Sequence, residues 1–214
     1  MNQSKPLTAK AYDQIYSDII NGKIASDDVI TESMLIQQLG VSKSPVREAL
    51  VALCNEKILR SIPRLGYMVV RISPEEIREL AEARRALEVF MLEKSFARLA
   101  DEMIDELDAL SLAHLEDARI HTSPMDNWQR NMKFHLRLAS FAQNEIMYNL
   151  LESTLRMLTR ATTQYFMHIP GESNPLTMER SSGSRHFGLI KACRTRDLYS
   201  AKRILERDID DLKQ

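Results

Sequence analysis

The passage from Leu59 to Arg71 restricts the fold more than any other. Leu59-Arg60-Ser61-Ile62, a turn at Pro63-Arg64-Leu65-Gly66, and Tyr67-Met68-Val69-Val70-Arg71 carry the β-branched and aromatic residues of a two-stranded hairpin. The remainder of the 214-residue chain reads as helix. The whole chain holds only six glycines and eleven methionines, with long runs of Ala, Leu, Glu and Arg.

Three helical segments precede the hairpin. The first runs from about Leu7 to Gly22 with Ala11, Ile15 and Ile19 on one face. The second opens at Thr31, a capping residue, carries Met34, Leu35 and Leu39, and stops at Gly40, suited to a left-handed residue past a helix end. In the third, Ser44 reads as the N-cap with Pro45 at the first helical position. Val46, Leu50 and Leu53 form its apolar stripe, leaving Lys43, Arg47 and Val51 on the opposite face.

Ser73-Pro74-Glu75-Glu76 matches a capping box and opens a long helix, so a domain boundary falls near residue 72. Beyond it the pattern gives a helical bundle with segments at about 75–100, 102–121, 126–142, 145–168, 180–195 and 198–212. The expected fold class is mainly α: a winged helix-turn-helix of three helices plus a β-hairpin over 1–72, then an all-α bundle over 73–214.

With 44% hydrophobic residues, each part can build a packed core. No apolar run is long enough to span a bilayer, and Asn2, Gln3, Ser4 and Lys5 lack the apolar core of a secretion signal, so a cytoplasmic location with no membrane partner is expected. Cys54 and Cys193 show no metal spacing and read as reduced, buried thiols. Residues 1–72 carry nine Lys/Arg against seven Asp/Glu and the rest 20 against 23, a weak asymmetry that neither requires nor excludes a nucleic-acid partner.

In a winged helix-turn-helix the second helix of the pair enters the major groove. Arg47, read as lying in the first turn of that helix, opposes the macrodipole, whereas a guanine or phosphate contact gives it a purpose. Ser42, Lys43 and Ser44 surround the helix start and can hold phosphates, while Arg64 at the wing tip, with Gly66 permitting close backbone approach, reaches toward a minor groove. The alternative is a packing or interaction module in which Arg47 pairs with Glu48 or Glu32.

The stretch from Thr31 through Gly66, with Val41-Ser42-Lys43-Ser44-Pro45-Val46-Arg47-Glu48-Ala49-Leu50 at its centre, resembles the GntR family DNA-binding domain. Lys43 stands where arginine is usual, keeping the charge without the bidentate fork. The resemblance implies a homodimer on a pseudo-palindromic double-stranded DNA operator.

In the second part, Asn131 and His135 lie four apart on a face continued by Leu138 and Ala142. His186 heads a stripe with Ile190 and Cys193, and Asp208 falls among Leu198, Ala201, Leu205 and Leu212. A buried carboxylate needs a partner or a metal, although Asp208 can also pair at the surface with Arg203 or Arg207. Arg84 sits in the stripe Ile77, Leu80, Leu87 and Met91, where it either faces a cavity or bridges to Glu88.

This part resembles the FCD effector domain of the FadR subfamily, in its shorter, six-helix, VanR-like form. The resemblance implies a divalent metal (zinc, manganese or nickel) at Asn131, His135, His186 and Asp208, two of which differ from the usual ligands. It further implies a small carboxylate effector near Arg84, with Arg156 and Arg160 as further candidates, and a repressor of a metabolic or transport operon released by that effector. The rival reading is a metal-dependent helical enzyme using His135, His186 and Asp208.

Overall fold

The computed structural model describes residues 6–120, 124–166 and 182–210. The chain divides into two compact units, Met1–Ile72 and Ser73–Gln214.

The first unit contains α1 (Leu7–Ile20), β1 (Val29–Ile30), α2 (Glu32–Leu39), α3 (Lys43–Asn55), β2 (Leu59–Ile62) and β3 (Gly66–Val69). Thr31 Oγ1 accepts from the Met34 amide at 3.2 Å and starts α2, which Gly40 ends with φ +64°, a conformation that favours glycine. Ala11, Ile15 and Ile19 of α1, Leu35 of α2, and Val46, Leu50 and Leu53 of α3 close one core with Leu59 and Val69 of the sheet. Met34, by contrast, is exposed, one residue from Leu35 and so about 100° around the helix.

Two expectations need correction here. The helix α3 begins at Lys43 with Ser42 as its N-cap, so Pro45 is the third helical residue and Ser44 lies inside the first turn. Arg47 therefore falls just past that turn, where the macrodipole argument applies weakly. The hairpin is also part of a three-stranded antiparallel sheet in the order β1-β3-β2, with Ile30 opposite Tyr67 and Val29 opposite Met68.

The second unit is helical: α4 (Pro74–Phe96), α5 (Asp101–Ile120), α6 (Pro124–Ser140), α7 (Glu145–Phe166), α8 (Ser182–Arg194) and α9 (Leu198–Asp210). Ser73 Oγ accepts from the Glu76 amide at 3.1 Å while Glu76 Oε2 accepts from the Ser73 amide at 2.7 Å, completing the capping box that starts α4. Phe96, Leu107, Phe134, Leu138, Ile190 and Leu205 are among the residues of a core shared by α4, α5, α6, α8 and α9. Cys193 is in that core, and burial pushes its thiol up to about 11, whereas Cys54 is only half-buried. The expected helical ends at 167–168 and 211–212, with the stretch 170–181, lie outside the described residues. Among those described, no helix is long and apolar enough to cross a membrane.

Candidate functional site

Two groups of polar residues stand out, one in each unit. On the first unit α3 presents Lys43 and Arg47 outward, their side chains 63% and 58% exposed. Both face Glu32, the first residue of α2. Arg47 donates from Nε to Glu32 Oε1 at 2.9 Å and from Nη2 to Oε2 at 3.4 Å, and Lys43 Nζ lies 3.6 Å from Oε2. These contacts raise the Arg47 pKa and lower that of Glu32. The fork fixes the guanidinium at the surface through Nε and Nη2. Glu48 faces the other way, accepting from Ser44 Oγ at 2.9 Å and Thr8 Oγ1 at 2.8 Å, which ties α3 to α1. Of the two pairings considered for Arg47, the structure has the one with Glu32.

Ser42 makes no side-chain cap hydrogen bond, and Arg64 is exposed in the β2–β3 turn with φ +68°. Gly66 has a local reason for being glycine. A Cβ at that position would lie 2.4 Å from the carbonyl oxygen of Ile30 in β1, and its φ is +132°. Close backbone approach thus occurs within the sheet, a constraint the sequence reading assigned to nucleic acid.

In the second unit Arg84 of α4 is fully buried and donates from Nε to Glu88 Oε1 at 2.6 Å. The other oxygen of Glu88 lies 2.5 Å from His135 Nδ1, and His135 Nε2 lies 2.9 Å from Asp208 Oδ2. His186 Nε2 is 3.5 Å from the same Asp208 oxygen, its ring stacked on Phe134 at 3.8 Å between centroids. Three helices, α4, α6 and α9, therefore deliver a buried chain of alternating charge: Arg84, Glu88, His135, Asp208.

Burial alone would neutralise these groups, but the chain resists it. Burial pushes His135 down, yet the charge of Glu88 and the hydrogen bond to Asp208 outweigh it and raise the value, as expected of a ring with a carboxylate oxygen beside each nitrogen. Glu88 and Asp208 are pushed up by burial and held below the ordinary carboxylate range by their cationic partners, His135 foremost. His186 is lowered by burial, and His114 of α5, whose ring centroid is 6.1 Å from that of His186, is brought to about 4 by burial and by the His186 charge.

His135, His186 and Asp208 offer donor atoms within 4.8 Å of one another. Among the described residues, both ring nitrogens of His186 and Oδ1 of Asp208 are buried without a hydrogen-bond partner, the nearest charge to that oxygen being Arg185 Nη1 at 3.6 Å. Such orphaned donors fit a divalent cation, which would replace the proton between His135 and Asp208, with Glu88 already on Nδ1 to orient the ring. Asn131, one turn before His135, is also buried.

Asp208 does not pair with Arg203 or Arg207 at the surface. It lies on the buried face with Ala201, Leu205 and Ile209. Arg84 makes the bridge to Glu88 and is buried, and among the described residues its Nη1 and Nη2 have no hydrogen-bond partner. Arg160 is buried but Arg156 is exposed, because four residues overshoot a helical turn by about 40° and carry Arg156 off the inner face. The sequence reading missed His114 and the Glu88–His135 link. His114 was available as the end of the stripe Ile104, Leu107, Ser111, His114; the link joins residues 47 apart and has no periodic signal.

Comparison with known proteins gives the two units their families. The model of bacterial regulatory proteins of the gntR family matches residues 7–69, and that of the FCD domain matches 79–211. The transcriptional repressor GlaR of Escherichia coli K12 is 25% identical over 203 residues, covering 92% of this chain and 90% of that protein. A gluconate operon transcriptional repressor of Bacillus licheniformis is 36% identical over 92 residues, 43% of this chain and 37% of its own length. The solved structure of E. coli McbR/YncC shares the fold with a TM-score of 0.75 at 19% identity, covering 97% of this chain and 95% of that one. These families and relatives are regulators of transcription, so the enzyme reading of His135, His186 and Asp208 is not favoured. The chain belongs to the gntR family of bacterial regulatory proteins, carries an FCD domain behind its winged helix, and is a DNA-binding regulator of transcription.

Proposed function

We propose that this regulator is a homodimeric repressor of a metabolic or transport operon, released from a pseudo-palindromic operator by a small carboxylate held in the bundle. The observation that carries the ligand reading is Arg84, a fully buried guanidinium whose two terminal nitrogens have no hydrogen-bond partner among the described residues, at the head of an arginine-to-aspartate charge chain. A carboxylate is the anion whose two oxygens match that fork. Relatives named as transcriptional repressors, one of them of the gluconate operon, support the repressor assignment.

In this reading His135, His186 and Asp208 hold a divalent metal, zinc, manganese or nickel, with the Asn131 carbonyl as a weaker fourth donor. Such an ion supplies a fixed positive charge that attracts the carboxylate. Glu88 orients His135, and Arg84 receives the anion. On the DNA side Arg47 reads base edges, Ser42, Lys43 and Ser44 hold phosphates, and Arg64 and Gly66 shape the wing. Phe90 of α4 and Ile146 and Leu150 of α7, exposed on two helices that pack together, supply an apolar surface for the second copy.

The test is fluorescence-anisotropy titration of purified protein with the DNA upstream of its own gene, across a salt series and with a panel of small carboxylates. A steep fall of affinity with salt and release by a carboxylate are expected. Release that persists in Arg84→Met would refute the role given to Arg84. Elemental analysis of protein prepared without chelator or affinity-tag metal tests the ion, and no bound metal refutes it.

A further inference from the structure

The helix α5 brings two buried polar groups to the interior of the bundle one turn apart. Ser111 is fully buried and His114 is 5% exposed. Neither Ser111 Oγ nor His114 Nδ1 has a hydrogen-bond partner among the described residues. For the serine this is unusual within its own bundle. Ser95, Thr154, Thr159 and Thr163 all return their hydroxyls to the carbonyl four residues back, the ordinary way a helix satisfies a buried hydroxyl. Ser111 does not use that outlet.

His114 places this pair beside His186, a member of the buried His135–His186–Asp208 group. Its ring is 6.1 Å from His186, which contacts Asp208 and lies edge-on to His135 at 5.5 Å. Buried hydroxyl and imidazole groups without partners are costly to keep, and a ligand that supplies the missing partners removes the cost. Arg84 asks for an anion. Ser111 and His114 ask for something else: a neutral group able both to donate and to accept, which is the chemistry of an alcohol.

We propose that Ser111 and His114 form a second polar contact in the effector site, and that the effector is a hydroxy acid, its carboxylate on Arg84 and a hydroxyl on the α5 pair. This rests on the reading above that the bundle binds a small carboxylate. A site that hydrogen-bonds a hydroxyl rejects the analogue lacking it, because the site's own groups are then left bare.

The test is calorimetric titration of the full-length protein with matched acids: propionate against lactate and glycerate, and butyrate against 3-hydroxybutyrate. The hydroxylated member of a pair is expected to bind at least about tenfold more tightly. Ser111→Ala and His114→Gln should each reduce that preference by about threefold or more, while leaving the affinity for propionate and butyrate within about twofold. Equal binding of the paired acids overturns the proposal, since it means that only water fills the α5 contact. A preference that both substitutions leave intact overturns it too. Where a substituted protein does not fold, the order of affinities in the unsubstituted protein decides. If no acid of either kind binds, the carboxylate reading and this proposal fall together. If propionate and butyrate bind and Arg84→Met abolishes it, the carboxylate reading stands by itself.

Discussion

Replacing Gly66 by alanine separates a structural role from a DNA-contacting one. The new Cβ would meet the carbonyl oxygen of Ile30 at 2.4 Å, against backbone that has no flexible end to swing away. Holding alanine at a φ of +132° costs about 1–3 kcal/mol, because that region is nearly restricted to glycine. Relieving the contact requires β1 to retreat from β3, loosening the pairing of Ile30 with Tyr67 and Val29 with Met68. Each backbone hydrogen bond lost adds about 0.5–1.5 kcal/mol. A total of roughly 2–4 kcal/mol follows, a large share of the stability of a small domain. Urea unfolding followed by circular dichroism measures the loss. Hydrogen exchange read by mass spectrometry should place it in peptides covering 29–31 and 66–69. A loss below about 0.5 kcal/mol accompanied by abolished operator binding would refute the structural account and return Gly66 to the DNA interface.

Arg47→Ala should cost about 1–3 kcal/mol in operator binding and relax sequence preference, whereas Lys43→Ala should weaken all duplexes alike and lower the salt slope by about one; anisotropy titrations distinguish the two. Glu88→Ala strips partners from both Arg84 and His135 and should destabilise the bundle by about 3–5 kcal/mol in urea, since it leaves buried charge uncompensated. Hydrogen bonds from Arg47 hold the Glu32 carboxyl below its ordinary value of 4.5, so that contact contributes fully above this value and is lost as pH falls through the lowered one. Acid unfolding of Glu32→Gln should accordingly lack part of the loss of stability seen in the unsubstituted protein over that window. Ile146→Glu combined with Leu150→Glu should yield a monomer by sedimentation with an unchanged circular dichroism spectrum.

Helical periodicity reached deep into this molecule. It turned Asn131, His135, His186 and Asp208 inward because each lies in step with apolar neighbours, and Thr31, Gly40 and the Ser73–Glu76 box marked helix ends through local hydrogen-bond chemistry. It had no purchase where the determining contact is remote. β1 is two residues long, too short to show alternation, and the close contact at Gly66 exists only because β1 lies against it. His135 pairs with Glu88 and Asp208 from two other helices, a choice of neighbours set by packing. Arg156 and Arg160 show the opposite limit: a shared stripe tolerates 40° of drift, and at its edge that drift separates an exposed residue from a buried one.

The salt bridge from Arg85 to Asp210 spans 125 positions, and it lies on the same pair of helices, α4 and α9, that bring Arg84 and Asp208 into the bundle. During synthesis, then, α4 waits for nearly the whole bundle to be made before its last partner exists. The winged unit waits for no such partner, since its core closes within residues 11–69. The order of emergence favours a protein whose winged unit folds first and whose helical unit completes only when α9 arrives. A chain cut short before Asp208 would keep the whole winged unit and lose the last member of the charge chain.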